Sequence, residues 1–192
     1  LGDLSIASTA YAGADINIKD TWSSLTAGDP SIIVAVVDQG VDYTHPDLVP
    51  NMWVNEVEKN GKQGVDDDGN GYIDDIHGFN FVDGKGEINY DRDVDYDTGH
   101  ATHCAGIIAA VNNNGVGMAG VAGGTGNNDG VKIMSCQIFS QGYGGETRFS
   151  SRAIKYAADN GAQSFPAHMD IREGYLCQMV SSSLKMVLRR LQ

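Results

Sequence analysis

Ser31 to Val37 (Ser-Ile-Ile-Val-Ala-Val-Val) is an unbroken apolar, largely β-branched run that stops at Asp38-Gln39-Gly40. A short run of this kind, bounded by turn residues, predicts a strand buried on both faces, as in parallel α/β sheets. Val131 to Phe139 predicts a second. Between them, His100 to Val111 spaces its apolar residues three and four apart, which predicts a buried helix ending at the stop signal Asn112-Asn113-Asn114-Gly115. Thr147 to Asn160 predicts a second amphipathic helix, closed by Gly161. Strand, helix, strand, helix implies a doubly wound α/β architecture, in which chemistry gathers at the carboxyl ends of strands. Asp38 stands at one such end.

The polar stretch from Glu56 to Asp97 breaks this rhythm, with 13 acidic against 4 basic residues and many Gly and Asn. It is too long for a bare connection, so the expectation is a loop organised by something else. The chain as a whole has 192 residues, 41% of them apolar, and a formal net charge of −12. That size supports a real core, and the charge makes cations better partners than polyanions, which argues against nucleic-acid binding. No apolar run is long enough for a membrane span. Cys104, Cys136 and Cys177 form neither a CxxC pair nor an even set, so neither a zinc knuckle nor a disulfide framework is expected. Composition changes abruptly after Gln163: residues 1–163 hold 9 Lys+Arg against 23 Asp+Glu, and residues 164–192 hold 4 against 2, so the net charge passes from −14 to +2.

Inside the acidic stretch, Asp66, Asp68 and Asn70 alternate as oxygen donors, Gly71 permits a sharp turn, and Asp74 falls at the ninth position from Asp66. With the backbone carbonyl of Tyr72, this follows the first part of an EF-hand-type calcium loop. Position twelve departs from it, because His77 stands where a bidentate Glu would complete the site. The expectation is a structural Ca²⁺; the alternative is a solvated acidic loop. For chemistry, Asp38 is a candidate to orient the imidazole of His100, which would act as general base towards a hydroxyl. A zinc pair formed by His100 and His103 is the competing reading, although no third ligand stands at a recognised spacing and HExxH is absent.

Ile32-Ile-Val-Ala-Val-Val-Asp38-Gln-Gly-Val-Asp-Tyr-Thr-His-Pro-Asp-Leu48 resembles the segment around the catalytic Asp of the subtilisin-like serine proteases, the subtilases. Gly99-His-Ala-Thr-His-Cys-Ala-Gly-Ile-Ile-Ala-Ala110 resembles the segment around their catalytic His, in the family's order. The resemblance covers roughly residues 20–163 and includes the acidic loop. It implies a three-layer, mostly parallel sheet flanked by helices, here incomplete. It makes Asp38 and His100 members of a triad, and it implies an endopeptidase acting on polypeptides by serine acylation. Asp47 and Asn113 match positions that bind a structural Ca²⁺ in many subtilases. Gln39 replaces the usual Ser or Thr, and Ala101 the usual Gly. The resemblance also implies secretion or display on the cell envelope, with an inhibitory propeptide; both a signal peptide and that propeptide would precede Leu1.

A subtilase needs a nucleophilic Ser on a Gly-Thr-Ser-Met-Ala-type segment, and no such segment occurs; Ser181-Ser182-Ser183 lacks its context. The chain as written is therefore expected to be inactive. Residues 1–163 read as the amino-terminal part of a subtilase catalytic domain, and 164–192 as a non-homologous tail. Codons for Gln163-Ser-Phe read two bases on can give Val-Ile, the start of the strand the family would continue with, so the tail is expected to be frame-shifted. A genuine divergent ending, with a basic helix over Met179 to Leu191, is the alternative. At the level of function, the alternative to a protease is a non-catalytic calcium-binding module or pseudoprotease.

Overall fold

A computed structural model describes residues 16–90, 99–140, 143–144 and 146–166. Its elements in chain order are α1 (Lys19–Ser24), β1 (Ile33–Asp38), α2 (Glu56–Asn60), β2 (Gly78–Asn80), α3 (His100–Ala109), β3 (Lys132–Gln137), β4 (Phe139–Ser140), β5 (Tyr143–Gly144) and α4 (Thr147–Asp159). The expected strands and helices are all present, with ends shifted by one or two residues. The tail, including Ser181–Ser183 and the Met179–Leu191 helix, lies outside the described residues, as do Asp91 to Asp97 of the acidic stretch.

The strands pair in the order β1-β3-β2, all parallel, with register Asp38↔Gln137 on one side of β3 and Asn80↔Gln137 on the other. The outer edge of β1 is paired as well: Ala35 and Val37 donate their backbone N–H groups to the carbonyls of Ser164 and Pro166 at 2.9 and 3.0 Å. The sheet therefore continues through the compositional boundary for the few residues that are described. β4 and β5 form a short antiparallel pair directly after β3.

Both faces of the sheet are covered, which is why β1 is apolar at successive positions. Val34 and Val36 pack with Ala101, Ala105, Ile108 and Ala109 of α3. Ala35 and Val37 point the other way, into a cluster with Phe79, Phe81 and the Phe149, Ala153, Tyr156 and Ala157 face of α4. Helix, sheet and helix make the three layers expected, and burying both rows keeps every residue from Val34 to Val37 at 2% exposure or less.

The acidic stretch contains two elements of its own. Asn55 caps α2 by accepting from the backbone N–H groups of Val57 and Glu58 through its side-chain oxygen. The loop then closes into β2 through Gly78. At its start, the Trp53 N–H donates to the Ile133 carbonyl at 2.8 Å; at its end, the Ser135 N–H donates to the His77 carbonyl at 2.9 Å.

Candidate functional site

Asp38 is the last residue of β1, where the sheet delivers its carboxylate to the carboxyl edge at 3% exposure. Its Oδ1 accepts the Gln39 N–H at 2.6 Å, which fixes the rotamer. The other oxygen, Oδ2, lies 2.7 Å from His100 Nδ1. An ionised carboxylate only accepts, so Nδ1 carries the proton in this pair and the neutral ring presents Nε2 as its basic nitrogen. His100 opens α3 directly after Gly99, whose φ of 74° turns the chain into the helix through a conformation that glycine adopts without strain. Helix and turn are tied together by the Asp42 N–H, which donates to Thr102 Oγ1 at 2.9 Å.

Cys104, one helical turn on, has its Sγ 3.9 Å from both ring nitrogens of His100. A sulfur in the ring plane at equal distance from both nitrogens would collide with the carbon between them, so this one lies over the ring face. Asp38, His100 and Cys104 offer ligand atoms within 4.8 Å of one another. A metal on an imidazole nitrogen sits in the ring plane, however, so the thiol packs the ring and does not share a cation with it in this arrangement. His103 is exposed and lines a cleft with Asp42, His45, Asp47 and Met118, whose lining does not include His100. Among the described residues, neither group of three convergent ligand atoms contains both His100 and His103.

The acidic loop gathers a different set of carboxylates from the one its spacing suggests. Asp66 and Asp68 do converge, but with Glu58 from α2, the three offering oxygens within 4.8 Å of one another. Glu58 is 3% exposed and accepts three backbone N–H groups, from Asp67, Asp68 and Asp74 at 2.7, 3.1 and 2.9 Å. Asp74 faces elsewhere, and its carboxylate accepts the Gly64 N–H at 2.8 Å. Asn70 uses Oδ1 to accept from the Tyr72 N–H, and its amide donates to Asp68 and Asp75. The Tyr72 ring turns inward against Phe79, Phe81 and Tyr156. Only hard oxygen donors meet at Glu58, Asp66 and Asp68, which suits a Ca²⁺-type cation.

Asp75, which the spacing passes over in favour of Asp74, is fully buried. It accepts from the Tyr156 hydroxyl at 2.6 Å, Asn55 at 2.9 Å and Asn70 at 3.1 Å, tying the loop to α4. Burial pushes its carboxyl up to about 6, against the hydrogen bonds that favour its ionised form. Neither Glu58 nor Asp75 stands out by sequence spacing; the only local signal for Glu58 is its place three residues after the capping Asn55. Asp47 is buried at 2% exposure, accepting from Asn114 Nδ2 at 2.7 Å and the Met118 N–H at 2.9 Å. Asn113 lies in the same turn with φ 61°, but its amide donates to the Thr125 carbonyl at 3.2 Å.

A family model described as "Subtilase family" (Peptidase_S8) matches residues 29–171. Among curated proteins, the chain is 36% identical over 167 residues to "Subtilisin-like protease 1" of Plasmodium vivax, covering 83% of this chain and 25% of that protein. It is 30% identical over 152 residues to "Halolysin-like extracellular serine protease Nep" of Natrialba magadii, covering 79% of this chain and 23% of that protein. The chain thus spans about a quarter of the length of these relatives. Among solved structures, fervidolysin from Fervidobacterium pennivorans matches at 26% identity and a TM-score of 0.48, over 77% of this chain and 18% of that one.

Proposed function

The chain belongs to the subtilase family, and on that premise we propose that it is the aspartate- and histidine-bearing part of a serine endopeptidase that cleaves polypeptides by acylation of a serine. The observation that carries this reading is the 2.7 Å contact between His100 Nδ1 and a buried Asp38 at the carboxyl edge of a parallel sheet. In the proposed reaction a serine hydroxyl attacks the scissile carbonyl while His100 Nε2 takes its proton. The same nitrogen then returns a proton to the leaving amine, and Asp38 holds the tautomer and stabilises the imidazolium. The 192 residues contain no Gly-Thr-Ser-Met-Ala-type segment, so the reading assigns the nucleophile to no residue of this chain. The purified chain is accordingly expected to remain unlabelled by a serine-reactive fluorophosphonate probe under conditions that label an active subtilase. Labelling would overturn the claim that it lacks a nucleophile.

The proposal includes a structural Ca²⁺ held by Glu58, Asp66 and Asp68, with Asn70 close by. Bound there, the cation would neutralise mutually repelling carboxylates and stiffen the loop without entering the chemistry. Asp47 and the Asn113 turn are proposed as a second cation position on the strength of the family resemblance. Titration with Ca²⁺ should raise the resistance of residues 56–77 to limited proteolysis, and chelation should reverse it. Asp68→Ala is expected to abolish that difference. Cleavage indifferent to Ca²⁺ would count against the assignment.

An inhibitory propeptide as a partner, and a site of action outside the cell or on its envelope, complete the proposal. The extracellular protease among the relatives supports the second point. No helix among the described residues is long and apolar enough to cross a membrane.

A further inference from the structure

The geometry points to Gln137 as a positioning residue that clamps the segment Ile88–Tyr90 across the Asp38 turn and so keeps water from the buried Asp38 end of the Asp38–His100 hydrogen bond. This rests on the reading of Asp38 and His100 as the working pair. Gln137 is a fully buried polar side chain on the central strand, in the rung it shares with Asp38 on one side and Asn80 on the other. Its Nε2 donates to the Phe139 carbonyl at 2.8 Å, which sets the amide's orientation and aims Oε1 at the Asn89 N–H, 2.9 Å away. The Asn89 side chain is held in turn: its amide donates to Asp83 Oδ2 at 3.2 Å, an oxygen that also accepts from Asn80 Nδ2 at 2.9 Å and Ser140 Oγ at 3.2 Å.

The clamped segment passes directly over the catalytic turn. A Cβ on Gly40, two residues after Asp38, would drive into the Asn89 carbonyl and lie 2.9 Å from Ile88 Cγ2. Ile88 is 4% exposed, and Tyr90 sets its ring edge-on to Tyr43 with centroids 5.3 Å apart. Ile88 and Asn89 therefore form a roof resting on Gly40 and hooked from the side by Gln137. Charge-assisted hydrogen bonds are stronger where water is excluded, so lifting the roof would weaken the Asp38–His100 contact without touching either residue.

The test is the rate at which the His100 Nδ1 proton exchanges with water, followed by its downfield NMR resonance in the 192-residue chain. Gln137→Met keeps the length of the side chain but leaves the Asn89 N–H unpaired, and should speed exchange about tenfold or more, the range expected when a buried donor loses its partner. Gln137→Glu retains the acceptor for the Asn89 N–H but replaces the donor to the Phe139 carbonyl with a second oxygen, so it should speed exchange less than Gln137→Met without restoring the unsubstituted rate. Gly40→Ala lifts the same roof from beneath and should also speed exchange, and the double variant should exchange no faster than the faster single. If Gln137→Met unfolds the chain, Gly40→Ala alone carries the test. Unchanged exchange in a folded Gln137→Met or Gly40→Ala chain overturns the clamp. Absence of the resonance from the unsubstituted chain overturns the pairing itself, a failure distinct from that of the clamp.

Discussion

Gly78→Ala is expected to cost more than about 4 kcal/mol, a loss large enough among single substitutions to point to one specific mechanism. Gly78 begins β2 with φ 124°, a conformation essentially closed to residues with a side chain. Its Cα faces the neighbouring strand so closely that a Cβ would run into the Ser135 carbonyl, 2.7 Å from its carbon and 2.9 Å from the Ser135 nitrogen. Relief requires β2 to leave β3, which would free the end of the acidic loop. Urea unfolding followed by circular dichroism measures the loss. Gly84→Ala is the control: φ there is 70°, but nothing lies within 4 Å of the added methyl, so the cost should stay near about 1 kcal/mol. Equal losses in the two variants would show that the close approach to Ser135 is not what makes Gly78 necessary.

Phe81→Ala should destabilise the chain by about 3–5 kcal/mol, the range for deleting a buried ring and leaving a cavity. Phe81 is 1% exposed and meets Phe79, Tyr156 and Tyr72 with ring centroids 5.3, 5.5 and 5.9 Å apart. These rings join the acidic loop, β2 and α4 in one apolar cluster, so the damage should reach beyond the site of substitution. Amide exchange should accelerate in residues 70–76 as well as in α4. Phe81→Leu, which refills part of the volume, should lose clearly less. Protection unchanged in the loop would mean that Tyr72 and Asp75 hold it without help from Phe81.

Much of the sheet was legible because its signal is local. The apolar run before Asp38 and the one ending near Gln137 announce β1 and β3, and the three-and-four spacing after His100 announces α3. The Asp38–His100 pair followed from the same segments, since each residue sits at the end of an element that the pattern locates. β2 was not legible: Gly-Phe-Asn is too short to show a period, and its strand character comes from pairing with β3. The convergent carboxylates Glu58, Asp66 and Asp68 were half legible. Asp66 and Asp68 belong to one loop and follow from spacing, whereas Glu58 arrives from α2, and no register counted from Asp66 reaches back to it. The spacing singles out Asp74, whereas the buried network takes Asp75, because neighbouring side chains point in opposite directions. Which of the two faces inward depends on Tyr156, 81 positions further along the chain.

The two hydrogen bonds that bracket the acidic stretch have a further consequence. Trp53 and His77 attach to Ile133 and Ser135 of the same strand, so the chain leaves the sheet and returns to it at neighbouring positions. An excursion whose ends already meet adds little to the entropy of closing the rest of the fold, because that cost grows only slowly with the number of residues enclosed. Residues 54–76 are in this sense a local excursion, and a change of length at an exposed position such as Gln63, away from the buried Tyr72 and Asp75 contacts, should leave the pairing of β1 with β3 and the meeting of Asp38 with His100 as they are.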